Sequence, residues 1–149
     1  PYDVPAVLMH PNIHIGGSDA GAHIYQMAGE GDSNYMLSHW VRDTGKIRLE
    51  DAIKRMTSEL AQDLGLDDRG ILAKGKYADI VIFDPSRSHV ISVENQAMNV
   101  DYSVYEGREL PGTVDTVLLR GNVVVRDHRF VGRVGMGEFV PRGLCQYLW

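Results

Sequence analysis

Asp19 is the side chain in this sequence best suited to chemistry. It closes the run Asn12-Ile13-His14-Ile15-Gly16-Gly17-Ser18-Asp19, and Ala20, Gly21, Ala22 and His23 follow it. A carboxylate at the end of a β-prone run can bind a hard or borderline metal ion and accept a proton from a metal-bound water. Gly16 and Gly17 would let a substrate or a neighbouring strand approach the backbone closely. An ordinary reading stands beside this one, since aspartate often opens a turn or caps a helix. On residue types alone that ordinary reading leads for Asp19. His23 is the second candidate, and its ordinary reading is a loop histidine bonded to backbone.

Other pairings fare less well. His10 and His14 share a spacing that makes a metal-binding face only on a helix. Pro11 and the β-prone residues after it argue against helix there. His39 falls in a helical stretch and reads as structural, and no chemistry is expected of His89 or His128. The glycines around Ser18 are wrongly spaced for a nucleophile elbow. No glycine-rich loop ends in Lys-Ser or Lys-Thr to cradle phosphate. Cys145 is the single cysteine, so it forms neither an internal disulfide nor a cysteine-rich zinc site.

The elements that would position Asp19 follow from local pattern. Residues 12–19 are predicted to form a strand running into a loop. Gly29-Glu30-Gly31-Asp32 is a loop by composition. Ser33 or Asp32 can cap a helix running to about Arg42, with Met36, Leu37, Trp40 and Val41 on one face. A clearer helix is predicted over about 49–64, where Leu49, Ala52, Ile53, Met56, Leu60, Ala61 and Leu64 follow the three-and-four spacing of a buried stripe. Gly65 supplies its left-handed close. After Gly70 the pattern turns to strands at 77–83, 89–93, 115–120 and 123–126. Gly121-Asn122 signals a hairpin, and Asp127-His128 a further turn into Phe130-Val131. Met27, Met36 and Met56 read as core filler.

Bulk properties narrow the classes of function. The chain has 149 residues, 44% of them hydrophobic, and a formal net charge of −5. Its positive residues are scattered rather than gathered on the basic face that nucleic acid requires. No run of about 18 apolar residues suggests a membrane span. The N-terminus lacks a signal-peptide pattern and an initiator methionine, so the chain reads as a trimmed or processed piece. One cysteine points to an intracellular, cytoplasmic protein.

Longer strings carry a resemblance. Asp101 to Gly112, Val117 to Val125, and Phe130-Val131-Gly132 through Pro141-Arg142-Gly143 resemble the C-terminal region of hydantoinases and dihydropyrimidinases. Asp68 to Leu72 and Gly75 to Pro85 resemble a segment shared across the amidohydrolase superfamily. Gly17-Ser18-Asp19-Ala20-Gly21-Ala22-His23, with Ser38-His39-Trp40-Val41-Arg42, is similar to N-acyl-D-amino-acid deacylases. Hydantoinases usually place a histidine where Ala20 stands.

The resemblance implies an α/β part followed by an all-β part. Residues 1–70 would be the end of a metal-dependent-hydrolase (β/α)₈ barrel, its eighth strand and following helices. Residues 71–149 would be the C-terminal share of a β-sandwich and a tail. A complete barrel takes about 250 residues, so this one is incomplete. The family's other ligands, an early His pair, a Lys/Cys/Glu position and two later histidines, would lie upstream or on a partner polypeptide.

The implied activity is hydrolysis of a non-peptide C–N bond by metal-activated water. The small-molecule substrate would be an N-acyl-D-amino acid or a cyclic amide such as a hydantoin or dihydropyrimidine. One or two zinc ions would be bound in the complete protein. The resemblance makes Asp19 a metal ligand and the proton shuttle to the leaving nitrogen, which reverses the ordinary reading of that residue. It places His23, Gly17 and Ala20 beside the substrate. The chain alone is expected to be inactive. A lone barrel strand and the apolar face of helix 49–64 predict a homo-oligomer. The competing reading is a non-catalytic, hydantoinase-like structural or oligomerising module.

Overall fold

The structure is a computed structural model, and it describes residues 3–16, 32–96 and 100–145. The chain divides into two units, Pro1–Ile71 with Pro141–Trp149, and Leu72–Val140. No helix among the described residues is long and apolar enough to cross a membrane.

The first unit is helical. A short helix α1 (Val4–Leu8) opens on Asp3, whose carboxylate accepts the Ala6 N–H at 3.4 Å, and Pro5 stands in its first turn. Both are ordinary helix-start signals, although the apolar pattern of the sequence did not single this stretch out. Residues 12–16 form no strand ladder, contrary to expectation. A strand of a parallel barrel takes its hydrogen bonds from neighbouring strands, and the Ile13 carbonyl of this stretch and the His10 carbonyl of the turn before it are bonded instead to a side chain described below.

Helix α2 (Asp32–Tyr35) runs into a π-helix (Met36–Asp43), so the predicted helix is present over nearly the expected span but is wound more widely at its end. The Thr44 N–H bonds the His39 carbonyl five residues back at 2.9 Å, the spacing of a π turn, and this leaves the Trp40 carbonyl to other donors. That carbonyl accepts from the Thr44 hydroxyl at 3.0 Å and from the Lys46 and Ile47 N–H groups at 3.1 and 3.2 Å. Gly45, at φ +61, lets the chain turn back to deliver those donors. Tyr35, His39 and Trp40 stack along this segment: the Tyr35 and His39 rings lie 4.7 Å apart and nearly parallel, and Trp40 meets His39 edge-on at 4.5 Å.

The stretch expected as one helix is two, α3 (Leu49–Met56) and α4 (Ser58–Asp63), with Thr57 between them at φ −127, ψ −83. The Thr57 hydroxyl donates to the Ile53 carbonyl at 2.8 Å and the Ser58 hydroxyl to the Lys54 carbonyl at 3.4 Å. Such back-bonds bend helices. Gly70 approaches the same break, where a Cβ would lie 2.6 Å from the Ala61 Cβ and 3.2 Å from the Ser58 Cα. α4 closes as the sequence implied. Gly65 is left-handed at φ +63, its N–H bonds the Gln62 carbonyl at 3.0 Å, and the Leu66 N–H bonds the Ala61 carbonyl at 2.8 Å.

The break changes which face is buried. Ala52 and Ala61 are buried as predicted, but Leu49, Ile53 and Leu64 are exposed, and Arg55 is buried in their stead. The core gathers Met36, Ile47 and Ala52, with Leu8, Met9, Ile15 and Met56 among the side chains packed on it. The expected role of Met27 falls outside the described residues.

The second unit is a four-stranded antiparallel sheet in the order β1 (Ile80–Asp84), β4 (Thr113–Leu119), β5 (Asn122–Arg126), β6 (Arg129–Phe130), beside a two-stranded sheet of β2 (His89–Val90) and β3 (Glu109–Leu110). The predicted strand at 89–93 is cut short. Ser92 caps a 3₁₀ turn (Val93–Asn95), and the Asn95 side chain accepts from the Ser92 N–H at 3.1 Å. Central β4 pairs on both sides, Ile80 with Leu118 and Leu119 with Asn122. The hairpin expected at Gly121-Asn122 turns one residue earlier, on Arg120 (φ 49) and Gly121 (φ 79). Two left-handed central residues make the turn that matches strand twist. The Asp79 carboxylate fixes it by accepting the Arg120 N–H at 2.7 Å. The next turn repeats the geometry at Asp127 (φ 48) and His128 (φ 63), with no glycine.

Candidate functional site

The residues singled out for chemistry, Gly17, Asp19, Ala20 and His23, lie outside the described residues. What the structure describes is the segment that leads to them and the side chains that hold it. His10 and His14, set aside above as a metal pair, have separate partners. His10 Nδ1 accepts from the Asn12 N–H at 3.2 Å, and His14 Nδ1 lies 2.7 Å from an Asp63 carboxylate oxygen on α4.

Arg55 does most of the holding. It is 4% exposed. Its Nε donates to the Leu8 carbonyl at 2.9 Å, and one terminal nitrogen donates to the carbonyls of Leu8, His10 and Ile13, the last two at 2.7 and 2.8 Å. The other terminal nitrogen bonds a Glu59 oxygen at 2.7 Å. Glu59 also receives Lys54, 3.3 Å away. Burial opposes the charge on Glu59, but the bonds from Arg55 and Lys54 outweigh it and hold the carboxyl below its ordinary range. A guanidinium suits this task because its donors form a rigid planar fork and its charge never titrates away.

Together α3 and α4 therefore hold residues 8–14 from one side, ending a few residues short of Asp19. Sequence pattern alone did not reveal Arg55, His14 or Asp63 in this role. The available signal was the four-residue spacing of Arg55 and Glu59, which pairs charges along a helix. His39, expected to be structural, is stacked within the π-helical segment. Among the described residues no three His, Cys, Asp or Glu side chains converge where a metal ion could bind.

The family model of the amidohydrolase family matches residues 2–125. The chain is 52% identical over 80 residues to D-hydantoinase of Streptomyces coelicolor, covering 54% of this chain and 17% of that protein. It is 42% identical over 99 residues to D-hydantoinase of Geobacillus stearothermophilus, covering 66% of this chain and 21% of that protein. Among solved structures, dihydropyrimidinase from Brevibacillus agri matches with a TM-score of 0.64 at 40% identity, covering 76% of this chain and 24% of that one. The chain thus spans about a quarter or less of the length of the relatives it matches. With a family match over most of its residues, the chain belongs to the amidohydrolase family.

Proposed function

We propose that this chain forms the C-terminal share of a metal-dependent hydrolase of cyclic amides, such as hydantoins and dihydropyrimidines. The observation that carries this reading is the likeness to hydantoinases and a dihydropyrimidinase in sequence and backbone alike. In this reading residues 1–70 complete a (β/α)₈ barrel whose remainder is supplied by upstream chain or a partner polypeptide. Residues 71–149 contribute to a β-sandwich.

The described residues do not by themselves make a metal site, so the one or two zinc ions of this reading belong to the assembled protein. Zinc, when bound, supplies an activated water. Asp19 serves as proton carrier, delivering a proton to the leaving nitrogen as the C–N bond breaks. His23, Gly17 and Ala20 stand beside the substrate. Arg55 and the His14–Asp63 pair hold the backbone leading to Asp19, so the carboxylate is approached by a segment anchored from the side.

A second reading keeps the mechanism and changes the substrate to an N-acyl-D-amino acid. The string Gly17 to His23, with Ala20 directly after Asp19, favours it. The test is hydrolysis of a dihydropyrimidine, a 5-substituted hydantoin and an N-acetyl-D-amino acid by the assembled protein, before and after chelation. Turnover of the cyclic amides, lost on chelation and restored by zinc, is expected. Turnover of the N-acetyl-D-amino acid alone would install the second reading. No turnover and no metal would leave a structural or oligomerising module.

A further inference from the structure

The second unit contains a histidine pair that the proposed hydrolysis does not use. His89 lies on β2, in the two-stranded sheet, and His128 lies in the turn between β5 and β6 of the four-stranded sheet. Their rings are stacked, 4.1 Å between centroids and 10° from parallel. His128 Nε2 is 2.7 Å from the hydroxyl of Thr113, a residue 3% exposed at the start of β4. The stack therefore joins two sheets that are otherwise separate ladders.

Charged groups surround the pair. Arg87, between β1 and β2, lies 3.4 Å from Asp115 of β4 and 3.4 Å from Asp127 of the turn. On β3, Glu109 pairs with Val90 and so lies on the opposite face of the ladder from His89. Burial first, then His89 and Arg87, hold the His128 imidazole below its ordinary 6.5, against the opposing pull of Asp127 and Asp115.

We propose that the His89–His128 stack is an acid-released latch that fastens the β2–β3 sheet to the four-stranded sheet, closed while the His128 ring is neutral and released when it is charged. Two neutral rings attract when their parallel planes are stacked with an offset. A charge on His128 would be partly buried beside the Arg87 cation, which repels it, and both aspartates already share Arg87. The Thr113 hydroxyl can donate to or accept from Nε2, so that bond persists in either protonation state and the release rests on the charge of the ring. The direction follows from linkage. His128 is held low in the fastened form, so the released form binds more protons. The latch is fully effective above 6.5, the ordinary value, and weakens as pH falls from there through the lowered one.

The test is amide hydrogen exchange by NMR on the full chain between pH 7.5 and 5, corrected for intrinsic exchange. The reporters are the Ile91 N–H, bonded to the Arg108 carbonyl at 2.9 Å, and the Gly107 N–H, bonded to the Ile91 carbonyl at 2.8 Å. The Gly121 N–H, bonded to the Ala78 carbonyl at 2.9 Å, is the reference. Protection of the reporters relative to the reference should fall with pH, about tenfold for each unit by which His128 is held low. His128→Asn accepts the left-handed turn and carries no charge, and His89→Phe keeps a flat ring that cannot protonate. His128→Asn should flatten the response, and His89→Phe should lessen it, because burial and Arg87 still hold His128 low; if one variant fails to fold the other decides. Equal relative protection at both ends of the range in the unaltered chain would overturn the latch, as would a fall that persists in His128→Asn or is undiminished in His89→Phe.

Discussion

Arg55 on α3 donates to the Glu59 carboxylate on α4 at 2.7 Å, so one ion pair spans the break at Thr57. The same guanidinium holds the carbonyls of Leu8, His10 and Ile13. One buried side chain thus fixes both the angle between two helices and the path of the segment beside them.

Arg55→Ala should be among the most damaging single changes in the first unit. It strips donors from three backbone carbonyls and leaves Glu59 without its buried partner. Breaking a buried pair from one side costs about 3–5 kcal/mol. Urea unfolding should show a correspondingly lower midpoint, with Arg55→Lys intermediate because one ammonium cannot reproduce the fork. An unchanged midpoint for the alanine variant would show that the network contributes nothing.

Gly70 and Gly75 have similar backbone angles, φ +86 and +85, but different surroundings. A methyl at Gly70 meets Ala61 and the helix break, whereas at Gly75 nothing lies within 4 Å. Gly75→Ala should cost only left-handed strain, about 1–2 kcal/mol. Gly70→Ala adds overpacking of about 1–3 kcal/mol to the same strain. Thermal melts of the two variants should rank in that order.

The first unit should lose stability in acid partly through Glu59. Its carboxyl is held below the ordinary 4.5, so the unfolded chain takes up the proton first. The stabilisation is complete above 4.5 and disappears as pH falls through the lowered value. Glu59→Gln should be less stable at neutral pH and show a shallower loss below 4.5. Urea midpoints measured at several pH values would reveal parallel curves if Glu59 plays no such part.

The isolated chain should carry no stoichiometric zinc, because one carboxylate and one histidine fall short of the three or four ligands zinc takes. Elemental analysis of the purified chain beside Asp19→Ala should find none in either. A metal that disappears with Asp19→Ala would mean that this chain assembles a site unaided. In the assembled protein, Asp19→Ala should lower kcat by about 10²–10⁴-fold, the usual worth of a placed proton carrier.

Local pattern revealed the elements better than their joints. The apolar spacing of 49–64 announced a helix, but its break depends on hydroxyl back-bonds and on Gly70 arriving from later in the chain. Gly121 announced a hairpin, while strand register moved the turn onto Arg120. Arg55 was hidden because the carbonyls it serves lie 42 to 47 residues away and belong to backbone, which has no signature of its own in sequence. The His89–His128 stack was hidden for the same reason of distance. The family was legible in the strings around 68–85 and 101–125, while Asp19 and His23 stay a reading of motif.

The turn at Asp127-His128 has a consequence for how this fold can change. Both residues hold the left-handed conformation, which asparagine and glycine adopt more readily still, so Asn-Gly would suit the geometry better. Selection for heat resistance alone should therefore drift toward Asn-Gly and erase the imidazole. Lineages that live across a range of acidity would be the ones to keep it, at the expense of some melting temperature.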